Sequence, residues 1–517
     1  MDALHAWLPW LPWLAPTIHA VGVLLAARSE SGTWHAVALS TRLALAAAVA
    51  ALVLPWIGAA GTSGAAPWVA TLIAFLGWVI GDFSRRYLRG EPGQRRFAVA
   101  YLGTLAAVGA VVASTNLAAL ILAWALSSAG LHSLLTFYRE RPAAIVVAHK
   151  KFLASRLAEA LLVVAAALLY ATWGTLNLDA IGTAAAATPS LPWQAGTAAV
   201  LIAAAVLLKC AQLPLHGWLI QVMEAPTPVS ALLHAGVVNL GGYVLIRLAP
   251  LMSASTAAET LLVVVGSLTA ALAGLVMLTR ITIKVRLAWS TCSQMGFMVL
   301  ECGLGLYDLA LLHLLAHSLY KAHAFLRSGN AVRDSLARPM LAGTTPGTVA
   351  PSWVAPIAAL AVAAALAIGT GLVWHALLGA PRLPPTGVAL LACGLATLLW
   401  PMAGDRIAPW RGVAAVLGAA HAYLAWHWLL GGTLGVATAE APAQLAGWTV
   451  VVFLVLYAVQ ASVVIWPGAR PARELYDWIY AGLYLDERFT RLTFQIWPAR
   501  TAAAPPRRPT TPLRSAA

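Results

Sequence analysis

Charged side chains are scarce in this sequence: they make up 10% of its 517 residues, against 61% hydrophobic. A soluble domain carries roughly 25%. So few charges cannot coat a globule of this length in water, but they can coat the two faces of a membrane slab. Carboxylates are the scarcer sign, 18 Asp and Glu against 32 Lys and Arg, for a net charge of +14. In a soluble protein that balance would suggest nucleic acid. Here no stretch between the apolar runs is large enough for a nucleic-acid module, and the basic residues sit in short loops, as membrane topology requires. Cysteine is rare too. Cys210, Cys292, Cys302 and Cys393 are scattered through apolar segments, with no spacing for a disulfide framework, zinc or an iron–sulfur cluster. They are expected to pack as small apolar residues. A dinucleotide fingerprint is missing, so the chain is not a dehydrogenase on its own. The apolar segment from Met1 to Ala27 lacks a basic n-region and a small-residue cleavage pattern, and reads as a first span rather than a cleavable signal.

What is present in abundance is apolar runs of membrane-crossing length. A window of roughly 19 residues marks about fifteen candidate spans, near 4–27, 36–58, 66–83, 97–115, 117–138, 152–172, 195–220, 227–249, 257–279, 284–304, 307–327, 352–378, 386–402, 411–431 and 444–466. The expected fold is all-α, a polytopic membrane protein. Odd-numbered loops hold the basic residues: Arg28 and Arg42; Arg85, Arg86, Arg89, Arg95 and Arg96; Arg139, Arg141, Lys150 and Lys151; Arg280, Lys284 and Arg286; Arg327, Arg333 and Arg338; Arg406 and Arg411. Even-numbered loops are nearly free of them, Arg382 excepted. By the positive-inside rule this places the N-terminus outside and the C-terminus in the cytoplasm of a multi-pass inner-membrane protein. After the last span, residues 470–498 mix aromatic, apolar and charged residues at helical spacing, which suggests an interfacial or partner-binding helix. The remainder is rich in Pro, Ala and Arg and is expected to be a disordered tail.

Ionisable residues inside spans carry the chemical information, because a Lys at a helix centre costs about 2.5–3.5 kcal/mol to insert. Lys209 lies in the apolar run AAAVLLKCAQLPLHGWL, five residues before Pro214. Proline removes a helix hydrogen bond, and freed backbone at membrane depth is tolerated only against protein or a water-filled cavity. A Lys beside such a break points to a proton or ion site, against the blander reading of a lysine neutralised by one buried carboxylate. His234, in APTPVSALLHAG, would by itself read as a histidine bonded to a backbone carbonyl; its nearness to Lys209 favours a proton shuttle. His313, His317 and Lys321 recur at i, i+4, i+8, on one stripe of a helix. Three such groups inside a membrane suggest a file of proton carriers. Zinc is the rival, since two His at i, i+4 can bind it, but no carboxylate or Cys stands near them in sequence. Arg156 and Glu159 are spaced for an i, i+3 ion pair, as readily structural as functional.

Four blocks, YLRGEPGQRRFAVAYLGTL, KCAQLPLHGWLIQVMEAPTPVSALLHAG, IKVRLAWSTCSQMGFMVL and LLHLLAHSLYKAHAFLRSGNAV, occur in an order that resembles the NuoL-type family. That family holds the antiporter-like subunits of complex I, the large subunits of multi-subunit sodium/proton antiporters, and the DabB-type membrane subunits of inorganic-carbon pumps. The resemblance covers residues 70–335. It implies two inverted five-helix repeats, each with one broken helix. The implied division is N-terminal transmembrane helices (1–96), first repeat (97–250), second repeat (251–410), C-terminal transmembrane helices (411–469), and a cytoplasmic amphipathic segment with the tail (470–517). It also implies that Lys209 is the broken-helix lysine, that His234 belongs to the next helix of the ion path, and that His313, His317 and Lys321 form the central relay. Two departures stand out. The family's W-E-G carboxylate is missing, since this chain reads Trp124-Ala125-Leu126. The lysine of the second broken helix is replaced by His375, in GTGLVWHALL. Glu159 is the expected substitute counter-ion for Lys209.

Within that family the chain lacks the long lateral helix of the complex I version and is shorter than the fused large antiporter subunit. Its block GLYLDERFTRLTFQIWP resembles the end of DabB-type sequences, which marks Tyr484, Asp486, Arg488 and Phe489 as expected partner contacts. The resemblance implies a transporter subunit without a cofactor of its own. It would conduct protons or sodium ions to energise CO2/bicarbonate accumulation with a DabA-like cytoplasmic zinc protein, whose metal lowers the pKa of bound water to about 7. The alternatives are a subunit of a multi-subunit cation/proton antiporter, with several small membrane partners, and the membrane arm of an NADH:quinone oxidoreductase, with flavin and iron–sulfur partners.

Overall fold

The computed structural model of the chain describes residues 10–54, 64–330, 352–380, 384–400, 409–431, 441–466 and 468–497. Among them the regular elements are all helices, joined by short turns and one isolated bridge between Asn116 and Asn177. In chain order they are α1 (Leu11–Arg28), α2 (Thr33–Val53), α3 (Ala65–Tyr87), α4 (Gln94–Ala113), α5 (Leu117–Leu135), α6 (Pro142–Trp173), α7 (Leu178–Ala187), α8 (Trp193–Lys209), α9 (Gly217–Ile220), α10 (Thr227–Ala235), α11 (Leu240–Arg247), α12 (Ala249–Ser253), α13 (Thr256–Leu278), α14 (Ile283–Gly303), α15 (Tyr307–Arg327), α16 (Val354–Leu378), α17 (Pro385–Ala396), α18 (Pro409–Gly431), α19 (Ala443–Ile465), α20 (Arg470–Tyr480) and α21 (Leu485–Ile496).

Every span expected from the sequence contains a helix, and ten of the described helical segments are long and apolar enough to cross a membrane. Four others fall short for visible reasons. α8 and α17 are apolar but brief. α14 and α15 are 21 residues each, but carry Lys284, Arg286 and Glu301, and Asp308, His313, His317 and Lys321. Helix ends follow local chemistry. Asn116 opens α5 by accepting the Ala118 N–H at 2.9 Å, as an N-cap asparagine should. Gly174 closes α6 in the left-handed region, at φ 66°, where a glycine pays no steric penalty. One apolar core unites helices from α1 to α15 and takes in Ile479 and Phe489 from the C-terminal pair. A smaller cluster of Ala359, Ala363, Ala392, Ala396 and Tyr457 ties α16, α17 and α19 together.

Three sequence expectations need correction. Lys150 and Lys151 do not sit in a loop: α6 begins at Pro142, and both are buried in its first third. Their charge excludes them from an apolar window, whereas the fold supplies each with acceptors. The second helix expected to be broken runs without interruption from Val354 to Leu378. Its GTGLV stretch has flexibility but no proline, and proline is what strips a helix interior of a hydrogen bond. Two of the expected partner contacts, Asp486 and Phe489, are occupied by the chain's own body, as described below. Arg333, Arg338, Arg382, Arg406 and the tail from 498 onward lie outside the described residues.

Candidate functional site

α8 stops at Lys209. Cys210 caps it, Ala211 turns into the left-handed region at φ 54°, and helix resumes only at Gly217. Pro214 sits in the gap, so the break falls where the sequence places it. Lys209 is thereby held at a helix end beside α5 and α6, and it is buried. Its Nζ donates to Glu159 Oε1 at 3.0 Å and to Ser128 Oγ at 3.2 Å, and lies 4.7 Å from the Trp124 ring centroid. Indole faces attract cations at that range. Arg156 reaches both Glu159 oxygens, at 2.8 and 2.7 Å. The expected substitution is therefore geometrically real: Glu159, not a residue at position 125, is the carboxylate facing Lys209. Lys151 joins the cluster from the same helix as Glu159. Its Nζ donates to the Ser128 carbonyl at 2.7 Å. Three basic side chains, Lys209, Arg156 and Lys151, thus gather around one carboxylate and one serine.

The second group lines α15. His313 and His317 have ring centroids 5.9 Å apart; His317 and Lys321 are buried, and the Lys321 Nζ donates to the Leu287 carbonyl at 3.1 Å. Helical spacing brings them onto one stripe as expected. The expectation that no carboxylate stands near is corrected, because Glu301 of α14 meets His313 at 3.0 Å. Glu301 closes one antiparallel helix as His313 opens the next, a proximity that spacing within one helix cannot reveal. His234 is buried, stacks on Phe325 with centroids 4.5 Å apart, and has neither ring nitrogen bonded to a protein group. It does not bond a backbone carbonyl, contrary to the blander reading. Asn239, just after the helix of His234, donates to Ser318 Oγ of α15 at 2.6 Å. No set of three or more His, Cys, Asp or Glu among the described residues is placed to hold a metal ion.

His375 is not part of this arrangement. It is half-buried near the end of α16, where Nδ1 lies 2.8 Å from the Ala380 carbonyl. At the C-terminus of the chain, α20 and α21 form a hairpin. Asp486 receives Lys150 Nζ at 2.9 Å and Gln221 Nε2 at 2.7 Å, and Phe489 is buried beside Lys150. Tyr484 and Arg488 are exposed on the other side. Sequence reasoning missed Lys150, Lys151, Ser128, Gln221 and Glu301. Only Lys150 and Lys151 left a signal, two adjacent cations at the edge of an apolar run.

A family profile described as NADH:quinone oxidoreductase/Mrp antiporter, TM, matches residues 114–368, the stretch that holds both clusters. The chain is 42% identical over 439 residues to a probable inorganic carbon transporter subunit DabB of Hydrogenovibrio crunogenus, covering 83% of this chain and 82% of that one. This chain belongs to the DabB family. A DabB2 of Halothiobacillus neapolitanus, also called a probable inorganic carbon transporter subunit, is 40% identical over 462 residues, covering 84% of this chain and 80% of the relative. The fold is that of a larger group. The structure of the Mrp complex from Dietzia sp. DQ12-45-1b aligns with 95% of this DabB-family chain and 56% of its own, with a TM-score of 0.57 at 24% identity.

Proposed function

We propose that this chain is the proton-conducting membrane subunit of an inorganic-carbon accumulation complex and that it works with a soluble zinc protein on the cytoplasmic face. The observation that carries the reading is the buried Lys209–Glu159 pair at the end of a broken helix, 3.0 Å apart. A lysine held by one carboxylate and one hydroxyl has two stable arrangements, paired or released. Protonation of Glu159 releases it and its deprotonation recaptures it. His234, His317 and His313 lie beyond, and Glu301 lies at the far end. His313 Nε2 and His317 Nε2 have no protein partner, so protons pass between the rings through bridging water. Protons suit the site better than sodium, because both Glu159 oxygens already accept from Lys209 and Arg156, leaving no oxygen cage of the kind hard cations need.

Each proton that descends the membrane potential releases about 2.3 kcal/mol per 100 mV. Motion at the broken helix would pass that energy to the partner, whose zinc would supply the Lewis acidity for CO2 hydration. The names of the relatives support the carbon-transport part of the reading. The distribution of Arg and Lys supports a cytoplasmic hairpin, and its exposed Tyr484 and Arg488 are the proposed docking contacts. The test is purification from native membranes in mild detergent with identification and zinc assay of the stoichiometric partner, followed by bicarbonate uptake with and without an uncoupler. One large zinc protein and uncoupler-sensitive uptake support the reading. A set of small hydrophobic subunits, or flavin and iron–sulfur proteins, overturns it.

A further inference from the structure

The C-terminal hairpin is fastened to the membrane body at two places, and the broken helix lies between them. At one end Asp486 fits between Lys150 and Gln221, whose own side chains meet at 2.9 Å. Trp497 stacks on His149 with centroids 3.9 Å apart and planes 11° apart. At the other end the Arg280 guanidinium lies 5.6 Å from the Tyr480 ring and 5.4 Å from Trp289, which in turn packs against His216. Gly217 opens the resumed helix directly under Asp486, and a Cβ there would collide with the carboxylate.

Lys150 and Gln221 are not arbitrary anchors. Lys150 precedes Lys151, which holds the Ser128 carbonyl while the Ser128 hydroxyl receives Lys209. Gln221 follows the resumed helix at once. Asp486 therefore grips both elements that frame the Lys209–Glu159 pair, α6 on one side and the segment after the break on the other. Lys150 is fully buried while Asp486 keeps 23% of its side chain exposed, and removing the carboxylate leaves the buried ammonium without its counter-ion. The outer face of the same hairpin carries exposed Trp478, Tyr484, Leu492 and Phe494.

We propose that Asp486 is a positioning residue that transmits movement of the C-terminal hairpin to the Lys209–Glu159 pair through Lys150 and Gln221. The hairpin is the strap by which a soluble partner is mechanically coupled to the ion site. This rests on the proposed function for the partner, but the tie itself does not.

The experiment is hydrogen exchange on the full chain in detergent, alone and with its co-purified partner, comparing wild type, Asp486→Asn and Gly217→Ala. In the chain alone, both variants are expected to raise exchange at residues 211–221 by roughly tenfold, as loss of a local tie should. In the complex, wild type changes its protection at 211–221 when the partner binds, whereas Asp486→Asn retains the partner but no longer responds. Uptake by that variant falls by about tenfold. Unchanged exchange at 211–221 in the lone chain overturns the tie. A preserved response to the partner, or loss of the partner together with Asp486, overturns transmission and makes Asp486 an ordinary packing or docking contact. If wild type has no soluble partner, the proposed function falls while the first comparison still decides the tie.

Discussion

The two helices expected to be broken are built differently. α8 ends at its lysine, with the backbone turned aside at Ala211, Pro214 in the gap, and Glu159, Ser128 and Trp124 gathered around the ammonium. α16 runs through 25 residues, and its histidine satisfies itself on the carbonyl of Ala380, just past its own end. The difference shows what a buried cation demands. An ammonium at membrane depth needs a counter-ion and acceptors from neighbouring helices, and a helix break frees the end of the side chain to reach them. An imidazole can stay neutral and needs only one acceptor, which the end of its own helix provides. The buried ionisable clusters described above thus lie within α5–α15, and His375 of α16 stands apart from them.

The sharpest way to break that comparison is Lys209→Met. It fits the buried site and leaves Glu159 paired with Arg156, so the protein is expected to reach the membrane while uncoupler-sensitive uptake falls by about 100-fold or more, the scale of losing a positioned proton carrier. Substantial residual uptake would show that Lys209 is merely neutralised. Glu159→Gln comes next. It leaves Lys209 buried without its carboxylate, so thermal unfolding in detergent should reveal a loss of about 3–5 kcal/mol, and uptake should drop roughly tenfold or more. Adding Ala125→Glu, a turn away from Ser128 on α5, should recover part of both; no recovery would mean that the carboxylate works only from α6. Lys321→Met, in the central file, is expected to lower uptake by about tenfold with less effect on stability, since its one bond is to a backbone carbonyl. The smallest effect belongs to His375→Ala, less than about twofold in the same assay. A large loss there would erase the asymmetry and restore α16 to the ion path.

Much of this was legible in the residues. Scarce charge and repeated apolar runs announce a membrane helix bundle. Pro214 after Lys209 announces the break, and the four-residue spacing of His313, His317 and Lys321 announces their shared stripe. The illegible parts are contacts between residues far apart in the chain. Lys150 and Asp486 are separated by 336 positions, and nothing in either neighbourhood names the other. Glu301 hides in the same way, because its distance from His313 in sequence does not match any repeat of a single helix.

The sequence by itself determined the solvent of this protein, the helical character of its apolar runs, and the location of its first broken helix, because hydropathy and proline act locally. Only the tertiary structure decided which carboxylate answers Lys209, that Lys150 and Lys151 are interior rather than loop residues, and that Asp486 and Phe489 turn inward. Those outcomes depend on which helices become neighbours. A buried charge is tolerated or forbidden by the acceptors that packing brings to it, not by the residues beside it in the chain.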